Sequence, residues 1–191
     1  NILGKYVSRH PVSTWFSDVF RPETHLVVVI PAYKEEDYLY TTLSHLLLCD
    51  QPAFNVGILV VFNSSDADSP SLEVSQRAFA HRIRTEIGGM LPNWIELKMI
   101  EAYGLQRKHF GAGWARKIGM DAVCSSFYKN QKPDGIVVTL DADTLVNANY
   151  FTAIGAWYEN PVRSGANIYF EHPLEGNEFT SLIYNGITSY E

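Results

Sequence analysis

The chain has 191 residues, of which 46% are hydrophobic and 19% charged, so it can build a substantial core and is not of the disordered type. Its length fits one domain. The net charge of -6 argues against nucleic acid as the main partner, because phosphate backbones need basic patches. The longest apolar runs are far shorter than the ~20 residues of a membrane-spanning helix, so membrane association is expected only through segments outside this chain.

The cysteines give an expectation about cellular location. Cys49 and Cys124 both fall in helix-like apolar patterns, which predict buried, reduced thiols and not a disulfide framework. No charged-then-apolar signal peptide opens the chain. We therefore expect a cytoplasmic protein, either free or at the inner face of a membrane.

The order of predicted elements indicates the fold class. Residues 1–24 show no clean period and predict an irregular or partly helical lead-in. The elements predicted after it are a strand at 26–30, a helix whose leucines run from 39 to 47, a strand at 56–62, a helix at 69–87 ended by two glycines, a strand at 95–100, a helix at 114–128, a strand at 136–140, a helix at 147–158, a strand at 166–170 and a helix at 179–190. Strands that alternate with helices predict an α/β fold with a mostly parallel central sheet flanked by helices. The loops that follow the strands should then meet at one edge of the sheet.

The stretch from Asp134 to Asp143 is an apolar run that ends in Asp141-Ala142-Asp143, a DxD motif, and predicts a buried central strand. Because side chains alternate along a strand, Asp141 and Asp143 should point the same way and Ala142 the other way. Two adjacent carboxylates repel each other, and a hard cation such as Mg²⁺ or Mn²⁺ that carries substrate phosphates is a natural compensation. The alternative is a solvated strand end with a helix-capping Asp.

Polar residues follow the first two strands as well. Tyr33 can stack on a base and Glu35 can accept hydrogen bonds from a ribose or a base, although acidic residues here also suit a helix N-terminus. Asp66 and Asp68 are candidate partners for a base edge, unless their loop only caps a helix. In the segment from residue 111 to 119, Arg116 can bond a phosphate or ribose oxygen, and the alternative is a packing patch of small residues with a surface arginine.

Taken in order, four motifs resemble family 2 glycosyltransferases, which have the GT-A (Rossmann-like) fold of nucleotide-diphospho-sugar transferases. The motifs lie between residues 26 and 170 and are Pro31-Ala32-Tyr33-Lys34-Glu35, Asn63-Ser64-Ser65-Asp66, the segment 111–119 with Ala115-Arg116, and Leu140-Asp141-Ala142-Asp143. The resemblance implies a nucleoside pocket lined by Pro31, Ala32, Tyr33 and Glu35. It also implies that Arg116 lies near the ribose or phosphates, that Asp141 approaches the ribose and the metal, and that Asp143 ligates Mn²⁺ or Mg²⁺.

Two positions depart from the family pattern. Asn63 stands where the family usually has the first carboxylate of an Asp-Asp-Gly-Ser loop, so Asp66 or the Asn63 amide is expected to contact the base. Lys117 stands where the family usually has Asn after its Arg. The resemblance also implies an inverting transfer with a carboxylate base, usually in an acidic motif well downstream of the DxD motif. Within this chain Glu171 is the candidate, although it lacks that context.

We therefore expect residues 1–191 to form a single GT-A-like donor-binding domain that ends before the acceptor and catalytic-base segment of a longer enzyme. The expected reaction is the metal-dependent transfer of a sugar from a nucleotide-diphosphate sugar to a hydroxyl of a glycan, a lipid or a small molecule. One alternative is a nucleotide-sugar-binding module without turnover. The other is a nucleotidyltransferase, which normally has a glycine-rich loop directly after the first strand, where this chain has Pro31-Ala32-Tyr33.

Overall fold

The structure of the chain is a computed structural model that describes residues 2–11, 18–160, 162–172 and 180–190. The chain divides into two units, Asn1–Gly155 and Ala156–Glu191, and the predicted site residues from 31 to 143 all belong to the first. The elements are α1 (Ile2–Arg9), β1 (Thr24–Ala32), α2 (Glu36–Leu47), β2 (Asn55–Ser65), α3 (Pro70–Met90), β3 (Ile95–Leu105), a 3₁₀ turn (Arg107–His109), α4 (Ala112–Lys129), β4 (Ile136–Thr139), α5 (Tyr150–Tyr158) and α6 (Ser181–Tyr190).

The four strands form one parallel sheet in the order β3-β2-β1-β4, which confirms the predicted α/β fold with a parallel sheet and flanking helices. The apolar runs of β1 and β2 lie in the middle of the sheet and are fully buried, as expected for strands covered on both faces. The strand order reverses between β1 and β4. In open α/β sheets this reversal marks the edge where ligands bind.

Helix α4 packs closely against the middle of the sheet. Ala115, Ala122 and Val123 of this helix share a core cluster with Val29 and Val61. The contact is close because a glycine, Gly119, faces the strands, and a Cβ added there would lie 2.3 Å from Cγ1 of Val29. The backbone of α4 therefore lies directly on β1 and β2, which fixes the height of Arg116 above the sheet.

Several predicted elements differ from the structure. The strand from Asp134 to Asp143 was expected to be central, but β4 pairs only with β1 and lies at the edge of the described sheet. Its Thr139 is exposed, since a four-residue edge strand is covered on fewer sides than a middle strand. The predicted strand at 166–170 is wrong, because residues 162–172 are exposed and adopt no regular structure.

Other differences concern where elements begin and end. The lead-in was expected to be irregular or partly helical, and its residues 2–9 form α1, which is held to α4 by a hydrogen bond from the Tyr6 hydroxyl to Asp121 (2.7 Å). Helix α3 continues through the two glycines predicted to end it. Helix α5 begins at Tyr150, later than expected, because residues 147–150 form a turn in which the Tyr150 N–H donates to the Asn147 carbonyl. Across the ranges that the structure describes, no helix combines the length and apolar character needed to cross a bilayer.

Candidate functional site

Pro31 decides where the pairing between β1 and β4 ends. The last bond of this ladder runs from the Leu140 N–H to the Val29 carbonyl (3.1 Å). In a parallel pair with this register, the next bond would need an N–H from residue 31, and proline has none. The chain after Leu140 is therefore free to leave the sheet, and the DxD motif begins at that point. Pro31 and Ala32, which the resemblance assigns to the nucleoside pocket, are themselves buried in β1.

The DxD motif alternates in exposure as predicted, although it lies in a turn after β4 and not in the strand itself. Asp141 and Asp143 are exposed, whereas Ala142 is only 3% exposed. The buried hydroxyl of Thr42 in α2 donates to the Ala142 carbonyl (2.7 Å), and the Thr144 N–H bonds to the Asp141 carbonyl (3.2 Å). These bonds hold the backbone between the two carboxylates, which both point towards solvent.

Two further charged residues meet the DxD motif. Arg116 of α4 forms an ion pair with Asp141 through its guanidinium group. Glu35, at the start of α2, is partly buried, and that burial raises the pKa of its carboxyl. The negative charges of Asp143, Glu36 and Asp141 raise the same pKa further. Residues from the start of α2, from α4 and from the chain after β4, distant in sequence, therefore come together beside the reversal in strand order.

Tyr33 links the loops after β1 and β2. Its hydroxyl donates to Oδ1 of Asp68 (2.8 Å), and Oδ2 of Asp68 accepts from the Ser65 N–H (2.8 Å). The ring of Tyr33 meets Phe110 edge-on, with centroids 4.7 Å apart, and Lys34 Nζ lies 4.9 Å from the centroid of the same ring. Asp68 is thus already engaged within the fold, and Tyr33 is held in one orientation.

Of the three residues of the β2 loop predicted to contact a base, Asn63 is buried, Asp68 is partly buried and Asp66 is exposed. Asn63 is fully buried, and its Nδ2 donates to the Ala32 carbonyl (3.1 Å), because β2 extends past Phe62 and carries Asn63 into the sheet. Asn63 therefore ties β2 to β1 beneath the cleft. Asp66 lies on the exposed turn that follows, and its backbone N–H bonds to the Leu105 carbonyl (2.8 Å).

The glycines of the segment from residue 111 to 119, which caps and begins α4, have different roles. Gly111 has a φ of 106°, a conformation that favours glycine, and it forms the N-cap of α4. Gly119 allows the close packing on the sheet described above. Between them, Arg116 occupies the second turn of the helix, near a helix end that favours anions.

The carboxylates fit a cation that arrives together with its ligand. In the part of the chain that the structure describes, no three His, Cys, Asp or Glu side chains are grouped so as to hold a metal ion. Asp141 and Asp143 nevertheless provide two exposed oxygen donors, and the positive guanidinium of Arg116 already sits against one of them. Mg²⁺ in phosphate-handling sites is usually held by one or two carboxylates, with substrate phosphates completing its shell. This donor set matches that arrangement.

Sequence patterns did not reveal some residues that shape the site. Thr42 falls within the apolar stripe of α2, and its polarity on a buried face is a signal that it bonds to another element. Phe110 and Lys34, which hold Tyr33 in place, carry no such signal. Glu171, the candidate base, is an exposed residue of the second unit.

Comparison with known proteins gives matches only among solved structures. No family model matches the chain, and no curated protein matches it. Residues 1–349 of S. aureus TarS match with 18% identity and a TM-score of 0.45, over 71% of this chain and 32% of that one. The same fragment in complex with UDP-GlcNAc matches with 18% identity and a TM-score of 0.44, over 71% and 31%. The chain thus spans about a third of the TarS fragment, and the function proposed below is argued from the site residues themselves.

Proposed function

We propose that this chain carries the donor site of a glycosyltransferase that uses a nucleotide-diphosphate sugar together with Mn²⁺ or Mg²⁺. The supporting observation is the pair of exposed carboxylates, Asp141 and Asp143, at the carboxyl end of β4 beside Arg116. They lie next to the reversal in strand order, where ligands of α/β sheets bind. A paired anionic site with one arginine suits a cation that carries a diphosphate.

Each residue of the site has a role in this proposal. Asp143 and Asp141 would hold the metal, which when bound neutralises charge that develops on the departing nucleotide diphosphate. Arg116 would bond oxygens of the diphosphate or the ribose. Glu35 would accept a hydrogen bond from a ribose hydroxyl, and Tyr33 would form one wall of the nucleoside pocket. Asp66, an exposed carboxylate, would contact the edge of the base.

The transfer itself would invert the anomeric carbon. The acceptor hydroxyl oxygen would form the new bond to that carbon while the bond from the carbon to the diphosphate oxygen breaks. A carboxylate base would take the hydroxyl proton. Glycans, lipids and small molecules with free hydroxyls are the acceptor classes to assay.

Asp143→Asn tests the metal site. The wild-type melting temperature should rise with UDP, GDP or UDP-GlcNAc only when Mn²⁺ is present. A ligand at a hundred times its dissociation constant adds ~2.7 kcal/mol to the free energy of unfolding, which is enough to detect. The variant should lose that response, because a neutral amide is a poor ligand for a hard cation. Without metal it should be at least as stable as wild type, because one of two repelling charges is gone.

Asp134→Asn is the matched control, since Asp134 is an exposed aspartate that precedes β4 at the opposite end of the strand. It should keep the full response to Mn²⁺ and nucleotide. An undiminished response in Asp143→Asn would remove Asp143 from the metal site and, with it, the main support for the proposal. Metal-dependent binding without hydrolysis or transfer, even in a longer form of the protein, would instead indicate a binding module.

A further inference from the structure

Asp141 already has a cationic partner in the metal-free chain. The guanidinium of Arg116 pairs with one oxygen of Asp141. Asp143, the other carboxylate of the motif, forms no ion pair among the residues that the structure describes. A divalent cation that uses both carboxylates must therefore displace or share the arginine at Asp141.

We propose that Arg116 competes with the divalent cation for Asp141, so that the cation binds well only together with the nucleotide diphosphate. This inference rests on the proposed function and adds an order to the loading of the site. While Arg116 is paired with Asp141, the site has less net negative charge, and one oxygen of Asp141 is already bound to the guanidinium when a cation arrives without nucleotide. Arg116 thus makes metal binding depend on the nucleotide.

A diphosphate is able to draw Arg116 away from Asp141. Phosphate oxygens accept two parallel hydrogen bonds from a guanidinium and carry more negative charge than one carboxylate. The Arg116 side chain is 34% exposed, so it can move without unpacking the core. It also belongs to the N-terminal half of α4, whose start favours phosphate. When Arg116 turns to the diphosphate, Asp141 becomes available to the metal, and each ligand then raises the affinity for the other.

The next residue in the chain provides a matched control. Lys117 also carries a positive charge on α4, but it pairs with Asp121 (2.5 Å), which also accepts the hydrogen bond from Tyr6. Lys117→Gln therefore removes the same charge, one residue away, without touching Asp141. Any general effect of charge on metal attraction should appear equally in both variants.

Mn²⁺ binding, followed by the electron paramagnetic resonance signal of free Mn²⁺, tests the inference without any assay of activity. In the absence of nucleotide, Arg116→Gln should bind Mn²⁺ about two- to fivefold more tightly than wild type, the range expected for an exposed ion pair. Lys117→Gln should match wild type. In parallel titrations with UDP and GDP, added nucleotide should raise the Mn²⁺ affinity of Arg116→Gln less than that of wild type.

Unchanged or weaker Mn²⁺ binding by Arg116→Gln, or an equal gain in Lys117→Gln, would overturn the inference. If wild type binds no Mn²⁺ even with UDP or GDP, the proposed function fails as well. If wild type binds Mn²⁺ with nucleotide and Arg116→Gln shows no gain alone, only the competition by Arg116 fails. Arg116→Lys is a second variant, which keeps the charge but not the two-pronged geometry, and a smaller gain in Mn²⁺ affinity than in Arg116→Gln is expected.

Discussion

The hydrogen bond from Thr42 to the Ala142 carbonyl can be tested by Thr42→Val, which keeps the shape of the side chain and removes its hydroxyl. Thr42 is fully buried, and the bond is 2.7 Å long. Without it, the Ala142 carbonyl loses its donor in a buried place, which costs about 1–3 kcal/mol. Threonine and valine have similar helix propensities, so α2 offers no offset. We expect the free energy of unfolding to fall by about 1–3 kcal/mol.

Urea unfolding of the variant and a matched control measures this cost. Ser44→Ala removes a hydroxyl from the same helix, but that hydroxyl bonds to the Tyr40 carbonyl within α2 (2.9 Å). It should change stability by no more than about 0.5 kcal/mol. Thr42→Val should also weaken Mn²⁺-dependent nucleotide binding, because the lost hydrogen bond holds the backbone of Ala142, between Asp141 and Asp143, in place. If Thr42→Val is as stable as Ser44→Ala, the bond does not anchor the motif as described.

Two further predictions concern α4 and Glu35. Gly119→Ala should destabilise the chain by up to about 3 kcal/mol, because the new Cβ would lie 2.3 Å from Cγ1 of Val29. In the control Gly113→Ala the new Cβ meets nothing within 4 Å, and this variant should be more stable than wild type by up to ~1 kcal/mol. Equal urea midpoints for the two variants would contradict the close packing of α4. Glu35→Gln should have a higher melting temperature than wild type at pH 7, because burial and then the charge of Asp143 raise the pKa of Glu35 and so disfavour its ionised form in the folded chain. This difference should vanish at about pH 3.5, below the usual carboxyl pKa, where the side chain is protonated in both states, and a difference that persists there would contradict the cause given.

The exposed pair of carboxylates could be predicted from the sequence because it depends on a local rule. The expected alternation came from the rule that side chains alternate along a strand. The structure ends β4 at Thr139 and places Ala142 and Asp143 in a turn, yet the exposure of Asp141 and Asp143 and the burial of Ala142 agree with that expectation. The parallel sheet was predictable for a similar reason, since alternating strands and helices leave few other arrangements. The continuous apolar run of β1 likewise indicated a strand covered on both faces, as found.

Features that depend on contacts across the sheet were not predictable. The turn-rich composition of Asn63-Ser64-Ser65 favoured a loop, but pairing with β3 extends β2 through these residues and buries Asn63. The short run of β4 is equally compatible with a middle or an edge strand, since composition does not reveal the number of neighbours. The pairing of Arg116 with Asp141 joins residues 25 positions apart and depends on how closely α4 approaches the sheet.

The missing N–H of Pro31 has a consequence for the shape of the whole ligand edge. Two parallel strands that remain zipped to their last residues keep the chains that follow them side by side, with no gap for a ligand. Because Pro31 lacks an N–H, the pairing between β1 and β4 ends at Leu140, and the two chain segments continue separately, one to Glu35 and the other to Asp141. The separation of the two segments thus begins in the backbone, at a proline, before any charged side chain of the site.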